Sequence, residues 1–415
     1  MAPNKDTTIV DISSHPNRQP LTGKIVALLA GLAAIGMLST NIILPAFPDI
    51  GRELGVSTRE LGLTLSSFFM TFALGQLVVG PLADRYGRKK LVLGGLAVFF
   101  AGTLIGGLAT SLDVLILARV TQALGVCATS VLSRAIAREL FEGETLARAL
   151  SLTMIATAAA PGFSPLAGSI LSVTVGWRAT FILVDVAAVI LAIFYVKDLG
   201  ETHPANRRAP HSTRQVVVAY GRLANDKRFI LPALAMSLLM SGLFASFAAA
   251  PAILMNGIGL SSLQAGVYFA TTVFVVFGAG MAAPRLAHRH GAARVATFGI
   301  ACAMGGGALL ALGPAHPTLW WYALSMVTFL CGMGLANPLG TAIAMGPFGQ
   351  EAGLASALLG FLTMSSAALT TWLGSVLSAT PVAARGGIQF VACLVALTLF
   401  LLTRASTHST PQLRR

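Results

Sequence analysis

The sequence predicts an all-α integral membrane protein of twelve transmembrane helices arranged as two six-helix halves. Three observations predict it. Of 415 residues, 55% are hydrophobic and only 10% are charged, less than half of the roughly 25% that clothes a soluble domain. Mean hydropathy is +0.78. The charges fall in short clusters that leave 25–48, 61–83, 91–112, 149–177, 229–284, 295–350, 352–384 and 386–403 uncharged.

A bilayer-crossing helix needs about 20 apolar residues. The first three stretches therefore hold one span each. Span 4 begins near 112 and carries Arg119, span 5 begins near 146, and span 6 begins near 177 around Asp185. The stretches 229–284 and 295–350 hold two spans each, divided by the turn signals Asn256-Gly257 and Gly313-Pro314. Spans 11 and 12 follow. The twelve starts are expected near 24, 60, 91, 112, 146, 177, 229, 261, 295, 318, 352 and 384.

Twelve spans put both termini on one face. Lys5, Arg18, Lys24, Arg85, Arg88, Lys89, Lys90, Arg134, Arg138, Arg148, Lys197, Arg207, Arg208, Arg214, Arg222, Lys227, Arg228, Arg285, Arg289, Arg294, Arg404, Arg414 and Arg415 fall on that face, and only Arg52, Arg59, Arg178 and Arg385 on the other. The positive-inside bias makes the first face cytoplasmic. Topology thus accounts for the net charge of +13, and no nucleic-acid partner is expected. No cleavable signal peptide is expected, since a polar tail of some twenty residues precedes a full-length span. Cys127, Cys302, Cys331 and Cys393 all fall within spans, without C-x-x-C spacing or clustered histidines. They read as small hydrophobes rather than a disulfide frame or a metal site, and no cofactor is expected.

The one long polar stretch between spans, 197–228, divides the chain. The expected organisation is a cytoplasmic tail (1–23), a first bundle (24–197), a cytoplasmic linker (198–228), a second bundle (229–404) and a cytoplasmic tail (405–415). A short repeat supports it: Leu82-Ala83-Asp84-Arg85-Tyr86-Gly87 returns 204 residues later as Leu286-Ala287-His288-Arg289-His290-Gly291. Each copy follows the second span of its half, as duplicated transporter halves require.

Four motifs carry chemistry. Gly80-Pro81-Leu82-Ala83-Asp84-Arg85-Tyr86-Gly87-Arg88-Lys89-Lys90 links spans 2 and 3, with Gly80 and Gly87 allowing a tight turn and Asp84 free to approach a helix N-terminus. Arg119-Val120-Thr121-Gln122-Ala123-Leu124-Gly125 lies in span 4, and Ala160-Pro161-Gly162-Phe163-Ser164-Pro165-Leu166-Ala167-Gly168 in span 5. Pro161 and Pro165 remove backbone donors, while Gly162 and Gly168 permit close helix contact. Trp177-Arg178 opens span 6, and the run Ala352 to Leu358 opens span 11.

The first motif resembles the loop between helices 2 and 3 of the major facilitator superfamily. The others are similar to the R-x-x-Q-x-x-G and antiporter signatures of its drug:proton antiporters, in the form of the bicyclomycin/chloramphenicol-resistance (Bcr/CflA-like) group. The resemblance implies the major facilitator fold. It also implies a latch at Gly80, Asp84, Arg85, Gly87 and Arg88, closing on the start of span 11 near Gln350 and Gly353. A purely topological basic loop is the alternative reading. By the same resemblance the chain is expected in the bacterial inner membrane, as a monomer exchanging a small-molecule substrate for protons.

The sequence departs from that group in span 1. There Ser39-Thr40-Asn41-Ile42-Ile43-Leu44-Pro45-Ala46 places Asn41 where the group carries an acid, and an amide can bond a substrate in the cavity but releases no proton. Arg119 and Asp185 are the strong ionisable groups at depth, and the second half is read as having none. Counted from the outer span ends, Asn41, Arg119 and Asp185 share a level ~10–12 Å below the surface, where an unpaired charge is costly. Arg119 is therefore expected to bond Asn41 and Gln122, with Asp185 as counter-ion or, equally, as a structural tie between spans 4 and 6. Met236, Met240, Phe244 and Phe247 recur at helical spacing in span 7, and Phe68, Phe69 and Phe72 cluster in span 2. Such residues suit either apolar cargo or plain helix packing. Tyr268 in span 8 and Asn337 in span 10 are candidate polar contacts by analogy with the family fold.

The expected function is export of small amphipathic compounds, drugs and antibiotics among them, by proton antiport with alternating access. The alternative is a metabolite exporter for a sugar, nucleoside or amino acid, or a proton-independent facilitator. No constellation of paired acids, Ser-His pairs or metal ligands at one depth points to an enzyme.

Overall fold

A computed structural model describes residues 22–203, 213–377 and 380–408. The tails and the middle of the linker, with Lys5, Arg18, Arg207, Arg208, Arg414 and Arg415, lie outside the described residues. The fold is all-α, with twelve helices long and apolar enough to span a bilayer: α1 Gly23–Leu54, α2 Gly62–Tyr86, α3 Arg88–Gly107, α4 Leu112–Leu140, α5 Gly143–Thr174, α6 Arg178–Leu199, α7 Lys227–Gly257, α8 Ser262–His290, α9 Ala292–Ala311, α10 Leu319–Gly349, α11 Ala352–Val376 and α12 Pro381–Arg404. Each starts within three residues of its expected position. A shorter linker helix, Thr213–Asn225, precedes α7.

Polar caps set several of the starts. Ser111, Ser261 and Thr318 accept backbone N–H groups at the heads of α4, α8 and α10, and Ser261 completes a capping box with Gln264. The first span departs from expectation. Its regular helix ends at Asn41, tightens into a 3-10 turn at Leu44–Ala46 where Pro45 cannot donate, and resumes over Phe47–Leu54. The span therefore ends at Leu54 rather than near Pro48.

The two halves pack alike. In the first, α1 contacts α4, α5 and α6, while α4 packs on α2 and α3; α7 and α10 hold the equivalent places in the second. The halves meet along two seams, α2 against α11 and α5 against α8. In lipid, helices associate through close packing more than through the hydrophobic effect, and glycines make it possible here. A Cβ on Gly95 would sit 2.6 Å from the Gly125 carbonyl oxygen, and one on Gly299 2.6 Å from that of Gly332. Gly95 and Gly299 are separated by the 204 residues that separate the two copies of the hexapeptide. Both copies end on a glycine at positive φ, Gly87 at 91° and Gly291 at 86°. Each is the single residue between two antiparallel spans, a conformation most side chains resist.

Candidate functional site

A cavity of about 470 Å³ lies between the halves on the face that carries the linker helix. Gln76, Gly80 and Asp84 of α2, Arg134 and Arg138 of α4, Gly353 and Leu354 of α11, and Tyr220 of the linker helix line it. On the opposite face the halves are joined. Arg59 donates to the Leu377 carbonyl (2.8 Å), Asn256 to Thr58 Oγ1 (3.2 Å) and Ser262 to the Pro45 carbonyl (3.2 Å). Between cavity and closed face, the rings of Phe69 and Phe244 meet across the seam at 4.8 Å.

This conformation corrects several expectations for the α2–α3 junction. Asp84 pairs with Arg88 at 2.8 Å, not with the start of α11. The cavity separates Asp84 from Gly353, so no latch contact with α11 forms among the described residues; the side chain of Gln350 lies outside them. Arg88, 7% exposed, also reaches Glu139 at 2.8 Å. Glu201, not Asp84, takes the helix N-terminus, accepting from the backbone N–H groups of Arg88 (2.9 Å) and Lys89 (3.3 Å). Arg85 lies over the Tyr86 ring. Gly80 sits inside α2 beside open space rather than in the turn, which is made by Gly87 alone.

The polar cluster at depth is also wired differently. Arg119, 1% exposed, donates through Nη1 to Gln122 Oε1 (2.8 Å) and to the Ser39 carbonyl (3.1 Å). Gln122 in turn donates to Thr103 Oγ1 (2.9 Å), whose own proton goes to the Phe99 carbonyl (2.8 Å). The chain thus runs Arg119–Gln122–Thr103 across α4 and α3. No ion pair joins Arg119 to Asp185 among the described residues, and Asp185 Oδ1 has no hydrogen-bond partner. Asn41 does not bond Arg119; its amide turns back to the Met37 carbonyl at 2.8 Å. Asp185 is buried with Phe181, Val184 and Ala188, at the edge of that face of α6 and next to the exposed Ile182 and Val189. Sequence reasoning missed Thr103, a lone threonine with no motif to mark it.

In α5, Pro161 and Pro165 both lie inside one continuous helix. A Cβ on Gly162 would strike Val273 Cγ2 of α8 at 1.7 Å, and one on Gly168 the Ile42 carbonyl oxygen at 1.8 Å. The two glycines therefore seat α5 against the other half and against α1.

The expected cargo residues do not line the 470 Å³ cavity. Asn41, Met236 and Phe244 are buried, and Met240, Tyr268 and Asn337 half-buried, among packed helices outside its lining. Arg385 corrects the second half. Expected at the outer surface, it is 1% exposed, because α12 begins at Pro381 and carries it one turn inward. Its Nε donates to Ser246 Oγ (3.1 Å) and its Nη2 to Met326 Sδ (3.1 Å), with the guanidinium 4.7 Å from the Tyr322 ring centroid.

Comparison with known proteins agrees with this architecture. The sequence pattern of the Major Facilitator Superfamily matches residues 29–371. The chain is 28% identical over 382 residues to multidrug resistance protein D of Escherichia coli (strain K12), covering 91% of this chain and 94% of that protein. It is 27% identical over 330 residues to a chloramphenicol resistance protein of Pseudomonas aeruginosa, covering 79% and 76%. The crystal structure of a peptide transporter, POT, in complex with sulfate superposes with a TM-score of 0.74 at 13% identity, covering 94% of this chain and 96% of that one, a likeness of fold alone. With twelve spans in two matching halves and a family match over most of its length, the chain belongs to the Major Facilitator Superfamily, a family of transport proteins rather than enzymes.

Proposed function

We propose that this protein exports small amphipathic compounds, drugs and antibiotics among them, across the bacterial inner membrane by proton antiport with alternating access. The observation that carries the reading is the one-sided cavity, open between the halves on the linker face and sealed beyond Phe69 and Phe244. The basic residues gathered on the linker face support its being cytoplasmic, with both termini there, so cargo enters from inside. The names of the drug-resistance relatives point to the same cargo class.

Rocking one half against the other parts the Phe69–Phe244 contact and brings Asp84 against the start of α11, completing the latch that is open here. Met236, Met240, Phe244, Tyr268 and Asn337 then reach the pathway as the seams reopen on the other face, with Asn41 beside them. Proton exchange falls to Asp185, the buried carboxyl of α6. The protein works as a monomer, since each chain carries both halves.

Asn41, in place of a titratable group, favours a second reading as a proton-independent facilitator or metabolite exporter. Drug susceptibility and dye efflux in an efflux-deficient bacterial host, with and without a proton uncoupler, separate the two. Proton-driven export gives protection that the uncoupler abolishes. Protection that survives the uncoupler removes proton drive, and no protection against any compound defeats drug export.

A further inference from the structure

Arg385 is a full positive charge taken out of water without a counter-charge. Among the described residues no carboxylate oxygen lies within 4.0 Å of it, although a buried cation is costly unless paired. Its Nε and Nη2 are engaged by a hydroxyl and a thioether, and Nη1 has no partner. Two further polar groups beside it also lack partners. One turn along α12, Gln389 is 0% exposed and its Nε2 amide is unpartnered; the Tyr268 hydroxyl, whose ring packs on Tyr322, is unpartnered too. The Ser246 hydroxyl, which accepts from Arg385, spends its own proton on the Gly242 carbonyl at 2.7 Å. The cluster therefore offers surplus donors around a cation.

Arg385 also lines a hollow of about 30 Å³ between the halves, close to the face opposite the linker. Ala245, Ala248, Ala249 and Gly374 keep its walls small, and Arg59 also lines it. A space of that size holds one water-sized guest, too little for a drug and enough for a single small ion.

We propose that Arg385 anchors an anion site at the interface of the halves, taking a small singly charged anion: a dissolved halide, or the carboxylate head of a transported compound. The site stands on its own geometry; only the carboxylate-head source rests on the export reading. A monovalent anion supplies the charge Arg385 lacks and the acceptor its unpartnered N–H group requires. Because α7, α11 and α12 share the hollow with the head of α2, an occupant bridges both halves and favours the conformation described above.

The test is thermal unfolding of the purified full-length protein in detergent, titrated with sodium chloride or sodium formate. Ionic strength is held constant with sodium isethionate, whose sulfonate is too bulky for the hollow. The expected result is a saturable rise in Tm of about 2–4 °C. It is lost in Arg385→Gln and also in Ala249→Val, which fills the hollow and leaves every charge in place. Ala249→Val decides the matter if Arg385→Gln does not fold. A response to chloride alone assigns the site to a dissolved halide, a response to formate alone assigns it to a carboxylate head, and a response to both assigns it to their shared chemistry. No rise above the isethionate baseline in the unaltered protein, or an undiminished rise in Ala249→Val, overturns the proposal. Efflux assays do not enter this measurement, so failure of the export reading leaves its outcome intact.

Discussion

Phe69 and Phe244 face each other across the seam between the halves, with ring centroids 4.8 Å apart and planes tilted by 56°. Both are almost wholly buried. Phe68 and Phe72 stack one turn apart beside them, their centroids at 6.0 Å. Together they form an apolar plug between the cavity and the opposite face.

Removing half of the plug makes the barrier leaky. Phe244→Ala is expected to cost about 3–5 kcal/mol of packing in a site that cannot fully collapse, and to admit water from the opposite face. The measurement is labelling of Gln76→Cys in a background with Cys127, Cys302, Cys331 and Cys393 changed to alanine. A membrane-impermeant thiol reagent applied to the face opposite the linker should react at least tenfold faster once Phe244 is alanine. Equal rates would mean that the plug lies elsewhere.

The buried polar groups Arg119, Gln122 and Asp185 make a separate prediction. Asp185→Asn should abolish proton release on substrate binding, read with a pH-sensitive dye in proteoliposomes, while substrate binding itself persists. Gln122→Leu cuts the chain at its middle and leaves Arg119 Nη1 only the Ser39 carbonyl, so that variant should lose both coupling and stability. Unchanged proton release in Asp185→Asn would take this acid out of the transport cycle.

Crossings at the two glycine pairs should respond in parallel. A side chain on Gly332 would place its Cβ 2.3 Å from the Gly299 carbonyl oxygen, and one on Gly125 2.4 Å from that of Gly95. Gly125→Val and Gly332→Val should each cost at least 1–3 kcal/mol, the usual price of overpacking. Folded yield and Tm in detergent check this, and similar losses are expected because the two sites are copies of one crossing.

Asp226 caps α7, accepting from the Arg228 backbone N–H at 2.9 Å. The Arg228 guanidinium beside it holds its carboxyl below the usual carboxylate range. A depressed pKa gives stability that is present above the ordinary carboxylate value and lost as pH falls through the folded one. Asp226→Ala should therefore speed hydrogen exchange at the first turn of α7 at pH 7, by a cap energy of about 0.5–2 kcal/mol. Strong acid should produce the same local fraying in the unaltered protein.

Much of this architecture was legible before the structure. Charge scarcity located ten of the twelve spans, since a charge in lipid is costly at nearly any position; spans 4 and 6 were read around Arg119 and Asp185, and the hexapeptide repeat supported the division into halves. The site was only partly legible. The R-x-x-Q spacing put Gln122 one turn from Arg119, and they do bond, because a helix brings i and i+3 together wherever it lies. Thr103 was invisible because its contact depends on how α3 leans on α4, which no local pattern encodes. Arg385 was misplaced for a different reason: three residues of boundary error separate a surface arginine from a buried one. The contact of Asp84 with α11 was expected from a motif alone, and in this conformation Asp84 pairs with Arg88 of its own loop instead.

The bonds that seal the face opposite the linker have an electrical consequence. Arg59, Asn256 and Ser262 each cross the seam to a neutral oxygen. Water can replace each of those acceptors at little cost when the seam opens. Breaking these bonds should accordingly depend little on ionic strength, whereas motions that disturb Arg88 and its two carboxylates should feel the salt.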